Sequence, residues 1–201
     1  MKNFVDIQEI DSSQLRNILE DSAYLKKSRT KLLRGALDTE PALSGRIVAL
    51  LFKKPSTRTR FSFDVGITQM GGKSISISSN EMQLSNAEKM TDTAQVLSQY
   101  VDMVVLRTDD HNDLLDLTEN FAAPVINGLS NLSHPCQVLA DIFTFEELVG
   151  SIKGKKVVWL GDGNNVCNSY VQAAEKFDFE FVYSGPKAYK PDNVQGSLYY
   201  G

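Results

Sequence analysis

Cysteine is nearly absent from this 201-residue chain: Cys136 and Cys167 are the only two. Two thiols cannot build a disulfide framework, and their spacing matches no zinc pattern. Reduced thiols in a cytosolic protein are the simple reading. No apolar run reaches the roughly 18 residues of a membrane span. The start of the chain, Met1 to Asp6, lacks the apolar core of a secretory signal. The expected location is the cytoplasm, with no membrane partner. Positive charge is not in surplus either: 21 Lys and Arg stand against 25 Asp and Glu, a formal net charge of −4. That balance excludes a general electrostatic nucleic-acid binder. Gly (13) and Pro (6) are too few for a collagen-like or low-complexity chain. What remains is an ordinary globular protein of one large domain, or one and a fraction, at about 150 residues per domain.

Charge is unevenly placed. Residues 151–201 hold six Lys against five Asp or Glu, so the acidic surplus lies in residues 1–150. Inside that acidic portion sit Lys53, Lys54, Arg58 and Arg60, four cations in eight residues. Alone, such a run reads as a solvated loop; its surroundings argue for more.

The pattern alternates strand and helix. Residues 45–52 are a strand-length run that is continuously apolar from Ile47, as in a buried parallel strand. A helix follows Pro55-Ser56-Thr57 and stops at Gly71-Gly72, and Lys73 to Ser78 alternates with period two as a strand with one wet face. Ser85 to Glu88 form a capping box for a helix with the stripe Met90, Ala94, Leu97 and Val101. Strands are then expected at Met103–Leu106, Pro124–Ile126, Val157–Leu160 and Phe179–Tyr183. Helices are expected at Leu114–Phe121, from Pro135 to about Val149, and up to Phe177. No internal repeat is present. This is the α/β class with a parallel sheet, whose ligands bind at the carboxyl ends of the strands. The polar segments that follow those ends are Lys53 to Arg60, Arg107, Asn127 to Gln137 and Gly161 to Asn165. That edge is the candidate site.

Ser56-Thr57-Arg58-Thr59-Arg60 lies between a buried strand and a helix start. Unpaired helix N–H groups, hydroxyls and a guanidinium fork there suit a phosphate or carboxylate; a simple cap with surface arginines has the same pattern. Arg107 ends an apolar strand, as many structural arginines do. His134-Pro135-Cys136-Gln137 opens a helix, and the imidazole of His134 and the amide of Gln137 lie about one turn apart, placed for one ligand. His111, in the acidic loop Asp109 to Asp113, reads as plain surface.

Together these motifs resemble the aspartate/ornithine carbamoyltransferase family, most closely its ornithine branch. The resemblance is carried by Phe52 to Arg60, Asp92-Thr93-Ala94, Val104 to Thr108, Asn127-Gly128-Leu129, His134 to Asp141 and Gly161 to Asn165. It runs in family order from about residue 3 to Asn193. The resemblance implies a carbamoyl-phosphate-binding domain over 1–149 and the start of a second, Rossmann-like amino-acid (ornithine)-binding domain over 150–201. Ser56, Thr57, Arg58 and Thr59 would hold the phosphate of carbamoyl phosphate. Arg107 would bridge phosphate and carbamoyl oxygen, and His134 and Gln137 would take the carbamoyl oxygen and amino group. Gln83 would complete the site of a neighbouring subunit in a homotrimer, and Asn165 would face ornithine. The implied reaction makes citrulline and phosphate, in arginine biosynthesis, with no cofactor, metal or covalent intermediate.

Cys136 in place of the usual threonine, and Ser85 to Glu88 in place of a lysine-bearing loop, separate the chain from the aspartate branch. Thr57 separates it from the acetylornithine and succinylornithine branches, while a putrescine-specific enzyme stays open. The family's glycine-rich L-G-x-x-E is here Leu84 to Glu88, and the tail Val194 to Gly201 departs from the family's continuation. Truncation or replacement of the end is expected, with turnover correspondingly weak, so a carbamoyl-phosphate-binding remnant is the rival reading. A dinucleotide binder is a further alternative, since Gly161-Asp162-Gly163 follows a strand. Val166 stands at its third glycine position.

Overall fold

The structure, a computed structural model, describes residues 3–78 and 90–191 and the backbone of 198–199. Four strands, β1 (Ile47–Phe52), β2 (Lys73–Ser78), β3 (Met103–Arg107) and β4 (Val125–Leu129), form one parallel sheet in the order β2-β1-β3-β4. Each is followed by a helix, as the alternation predicts: α2 (Arg58–Gln69), α3 (Met90–Leu97), α4 (His111–Asn120) and α5 (Pro135–Leu148). A further helix, α1 (Ser12–Ser28), precedes the sheet. The alternation does not anticipate it, because it belongs to no strand–helix unit and buries only Leu15 and Leu19.

β1 is apolar throughout because both its faces are covered. Ala49 and Leu51 point into a core with Ala94, Leu106, Leu114 and Leu117, beneath α3 and α4. Val48, Leu50 and Phe52 point the other way, against Ile67 of α2 and Val105. β2 is an edge strand, which explains its period-two pattern. Gly71, at φ +81°, ends α2 in the left-handed region that a side chain resists. α3 ends at Leu97, sooner than the stripe to Val101 implies, although Val101 is buried. Ser85 to Glu88 lie outside the described residues.

A second parallel sheet follows: β5 (Lys156–Leu160), α6 (Asn165–Phe177), β6 (Glu180–Ser184) and β7 (Leu198–Tyr199), ordered β5-β6-β7. Two strands are expected there from the sequence; β7 is a third, pairing Tyr183 with Leu198. A core of Leu15, Val138, Ile142, Phe177 and Phe181 joins α1, α5 and α6 to the second sheet. β5 is an edge with one open face, Val158 being 52% and Leu160 77% exposed. Among the described residues no helix is long and apolar enough to cross a membrane, and both thiols are free.

Candidate anion-binding site

Phe52, Arg107 and Leu129 are register neighbours, so β1, β3 and β4 end at one level. The loops beginning at Lys53, Thr108 and Ser130 therefore share an edge, as the parallel topology requires. The Lys53 N–H donates to the Arg107 carbonyl at 2.9 Å. The basic island then divides. Lys53 pairs with Asp113 at 2.7 Å and Lys54 with Asp109 at 2.6 Å. Arg58 and Arg60 are exposed and have no ion pair among the described residues. The local positive surplus thus lies at the start of α2.

Thr57 sits at the N-cap of α2 in a helical conformation, and its side chain makes no capping bond. His134 holds the same place on α5, again without a side-chain cap. α4 and α6, by contrast, are capped by Asp110 and Asn164. Arg107 reaches the first turn of α2, where its Nη1 donates to Thr59 Oγ1 at 3.1 Å. It also stands close enough to His134 to act on it: burial first, and the Arg107 charge second, lower the imidazole pKa to about 4. His134 is therefore neutral near pH 7. Burial also lowers the Arg107 pKa, against the pull of Asp109, but a guanidinium stays charged. Arg107 Nε and His134 Nδ1 are buried without a partner among the described residues. Buried polar atoms are nearly always paired, and an orphaned donor or acceptor costs about 1–3 kcal/mol. Arg107 Nε is a donor, and beside the uncapped start of α2 such a group suits an acceptor-rich anion.

The remaining sequence candidates are placed less directly. Ser56 is half-buried in the turn before α2. Gln137 is exposed, and its Nε2 donates to Asp141 Oδ1 at 2.8 Å; Asp141 also accepts the Tyr170 hydroxyl at 3.1 Å. Asn165 turns toward the loop after β4, donating to the Ser130 carbonyl at 2.7 Å while its Oδ1 accepts the Val166 N–H at 3.0 Å. Gln83 lies outside the described residues. The Cys136 thiol is buried, which pushes its pKa up to about 12. Among the described residues no cluster of His, Cys, Asp or Glu is arranged to hold a metal. Gly163 packs against Tyr189 and Pro191 so closely that any side chain would clash. Its smallness serves that loop contact.

His111 corrects its sequence reading. It is the first residue of α4, its side chain is 12% exposed, and it lies 3.6 Å from the buried Asp6 and 2.8 Å from Ser130 Oγ. The spacing of His111, Leu114 and Leu117 places it one turn ahead of the buried stripe. An earlier helix start at the Asp110 cap would have revealed this. Asn127, Ser130 and Ser133, all buried, fall within the polar segment Asn127 to Gln137 but carry no individual role in the sequence reading, and buried Asp6 has no signal there at all.

Comparison with known proteins identifies the family. The family description "Aspartate/ornithine carbamoyltransferase, carbamoyl-P binding domain" matches residues 2–147, and "Asp/Orn binding domain" of the same family matches residues 153–197. The chain is 50% identical over 192 residues to an ornithine carbamoyltransferase of Ruegeria pomeroyi, covering 96% of this chain and 62% of that protein. It is 49% identical to one from Cereibacter sphaeroides, with the same coverage. Among solved structures, ornithine carbamoyltransferase from Pyrococcus furiosus superposes with a TM-score of 0.89 at 40% identity, over 95% of this chain and 59% of that one. The Thermus thermophilus enzyme gives 0.90 at 30% identity, over 100% and 68%. The chain thus spans about three fifths of the length of the curated relatives it matches. On the two matched domains and these relatives, the chain belongs to the aspartate/ornithine carbamoyltransferase family.

Proposed function

We propose that this chain is an ornithine carbamoyltransferase, acting in the cytoplasm in arginine biosynthesis, and that the corner around Arg107 is its carbamoyl phosphate site. One observation supports the reading most: Arg107, with its Nε orphaned, reaches the uncapped start of α2, and His134, with its Nδ1 orphaned, heads the uncapped start of α5. Ser56, Thr57, Arg58 and Thr59 take the phosphate, through α2 N–H groups, hydroxyls and the Arg58 fork. Arg107, already on Thr59, bridges phosphate and carbamoyl oxygen. Neutral His134 meets the carbamoyl oxygen, and Gln137 meets the amino group once it leaves Asp141. Asn165 faces ornithine, and a neighbouring subunit's copy of Gln83 closes the site of a homotrimer. Residues 1–149 form the carbamoyl phosphate domain and 150–201 belong to the ornithine domain.

The uncharged side-chain amine of ornithine attacks the carbamoyl carbon. The C–O bond to phosphate breaks, and a proton passes from the amine to the departing phosphate, giving citrulline and inorganic phosphate. The bond changes balance without a redox or metal step. Charge grows on the carbonyl oxygen and the departing phosphate, where Arg58, Arg107, Thr59 and His134 stabilise it. Holding both substrates in place supplies much of the rest. A second reading, a carbamoyl-phosphate-binding protein without turnover, draws on Asn165, whose amide is engaged at both ends.

A fusion separates the two readings. Residues 1–193 joined to the remaining second domain of a relative should form citrulline, with Arg58→Ala abolishing it. Carbamoyl phosphate binding without citrulline would favour the second reading.

A further inference from the structure

The turn at residues 130–134, which carries His134, is held from two sides. From α6, Asn165 Nδ2 donates to the Ser130 carbonyl at 2.7 Å and Asn168 Nδ2 to the Leu132 carbonyl at 3.0 Å. Ser169 Oγ accepts the His134 N–H at 2.9 Å. From the first sheet's side, Asn127 Nδ2 donates to Ser133 Oγ at 3.0 Å, and the His111 N–H donates to Asn131 Oδ1 at 3.0 Å.

The centre of the turn is the Ser130 hydroxyl, which is fully buried. It accepts the Ser133 N–H at 3.1 Å and the Leu132 N–H at 3.3 Å. Those two bonds use its two lone pairs, so its single proton must be donated. Two acceptors compete for that proton: His111 Nδ1 at 2.8 Å and the Ser133 carbonyl at 3.4 Å. The shorter contact wins, because the Ser133 carbonyl already accepts the Ser130 N–H at 2.9 Å. His111 Nδ1 is then an acceptor, which puts the ring proton on Nε2. That nitrogen faces Asp6 Oδ2 at 3.6 Å, and the Asp6 side chain is 4% exposed.

We propose that His111 is a positioning residue of the site: in its Nε2–H form it takes the Ser130 hydroxyl proton on Nδ1 and so fixes the turn that orients His134 and anchors Asn165. Its effect on ligand rests on the carbamoyl phosphate reading above; its effect on the turn does not. Without the His111 imidazole the Ser130 proton falls back on the Ser133 carbonyl, and the turn keeps only the backbone tie to α4, from the His111 N–H to Asn131 Oδ1. The phosphate subsite at Ser56 to Thr59 lies on another loop and is untouched.

The chain has only two histidines, so its nitrogen-15 imidazole spectrum contains two rings. At neutral pH the His111 ring should appear as the Nε2–H tautomer; a Nδ1–H or charged ring would overturn the proposal, with no variant needed. His111→Ala should shift the His134 ring and Asn165 amide resonances in the ligand-free protein. His111→Asn, whose carbonyl stands near the position of Nδ1, should restore them, and unmoved resonances in His111→Ala would also overturn the proposal. In calorimetric titrations His111→Ala should weaken carbamoyl phosphate about tenfold, the upper worth of one neutral hydrogen bond, and leave inorganic phosphate unchanged. His111→Asn should recover most of that loss. Equal weakening of both ligands would mean a general structural defect and contradict the proposal. If the wild type binds carbamoyl phosphate no better than phosphate, the functional reading fails, and the ring and amide resonances decide the role of His111 alone.

Discussion

At the scale of residues, His134 carries a pH signature. Its pKa falls from 6.5 to about 4 on folding, chiefly by burial and then by the Arg107 charge. Between those values the unfolded chain binds a proton that the folded one refuses, so stability falls as pH drops from 6.5 and levels off below about 4. His134→Gln should flatten that slope, removing about 1–3 kcal/mol of the difference between pH 7 and pH 4.5 in urea titrations. Asp6, whose pKa burial raises, contributes with the opposite sign, so the comparison must be made against wild type at each pH. An unchanged slope would mean that His134 is solvated. Arg58, Thr59, Arg107 and His134 were legible because parallel topology sends strand ends to one edge. His111 was not, because its burial depends on Asp6 and Ser130, at distant points of the chain, folding over it.

Elements were more legible than side-chain partners. β1 and β3 announce themselves because both faces are buried, which forces an unbroken apolar run. α4 shows where the boundary failed: reading from Leu114 missed the first turn, which is fixed by the Asp110 side chain accepting the Asn112 N–H at 3.0 Å. α1 leaves little trace in the sequence because most of its surface is polar and its two buried leucines meet α5 and α6 only in the folded chain. Within α4, Leu114 is fully buried while Leu115 is 40% exposed. Leu114→Ala should cost about 2–5 kcal/mol, and Leu115→Ala should stay within about 0.5 kcal/mol, by chemical denaturation. Similar losses at both positions would mean that α4 does not dock by the face described.

At the scale of the molecule, two parallel sheets share one core through α1, α5 and α6, and the turn at 130–134 ties them beside the site. That tie was not legible in the sequence, since Asn165, Asn168 and Ser169 reach residues more than thirty positions earlier. Self-association follows from the role proposed for Gln83, because a residue that completes a neighbour's site demands an intersubunit surface, and a closed trimer provides one. Sedimentation equilibrium should show trimers at micromolar protein; a strict monomer at high concentration would count against that role. The most direct test of the whole reading is calorimetric titration of carbamoyl phosphate into the wild-type chain and Arg58→Ala. Wild type should bind carbamoyl phosphate more tightly than inorganic phosphate, and the variant should lose about 2–5 kcal/mol of that binding, as when one partner of a charge-assisted contact is truncated. Equal affinities in wild type and variant would reduce the basic segment to a solvated loop and contradict the assignment of the site.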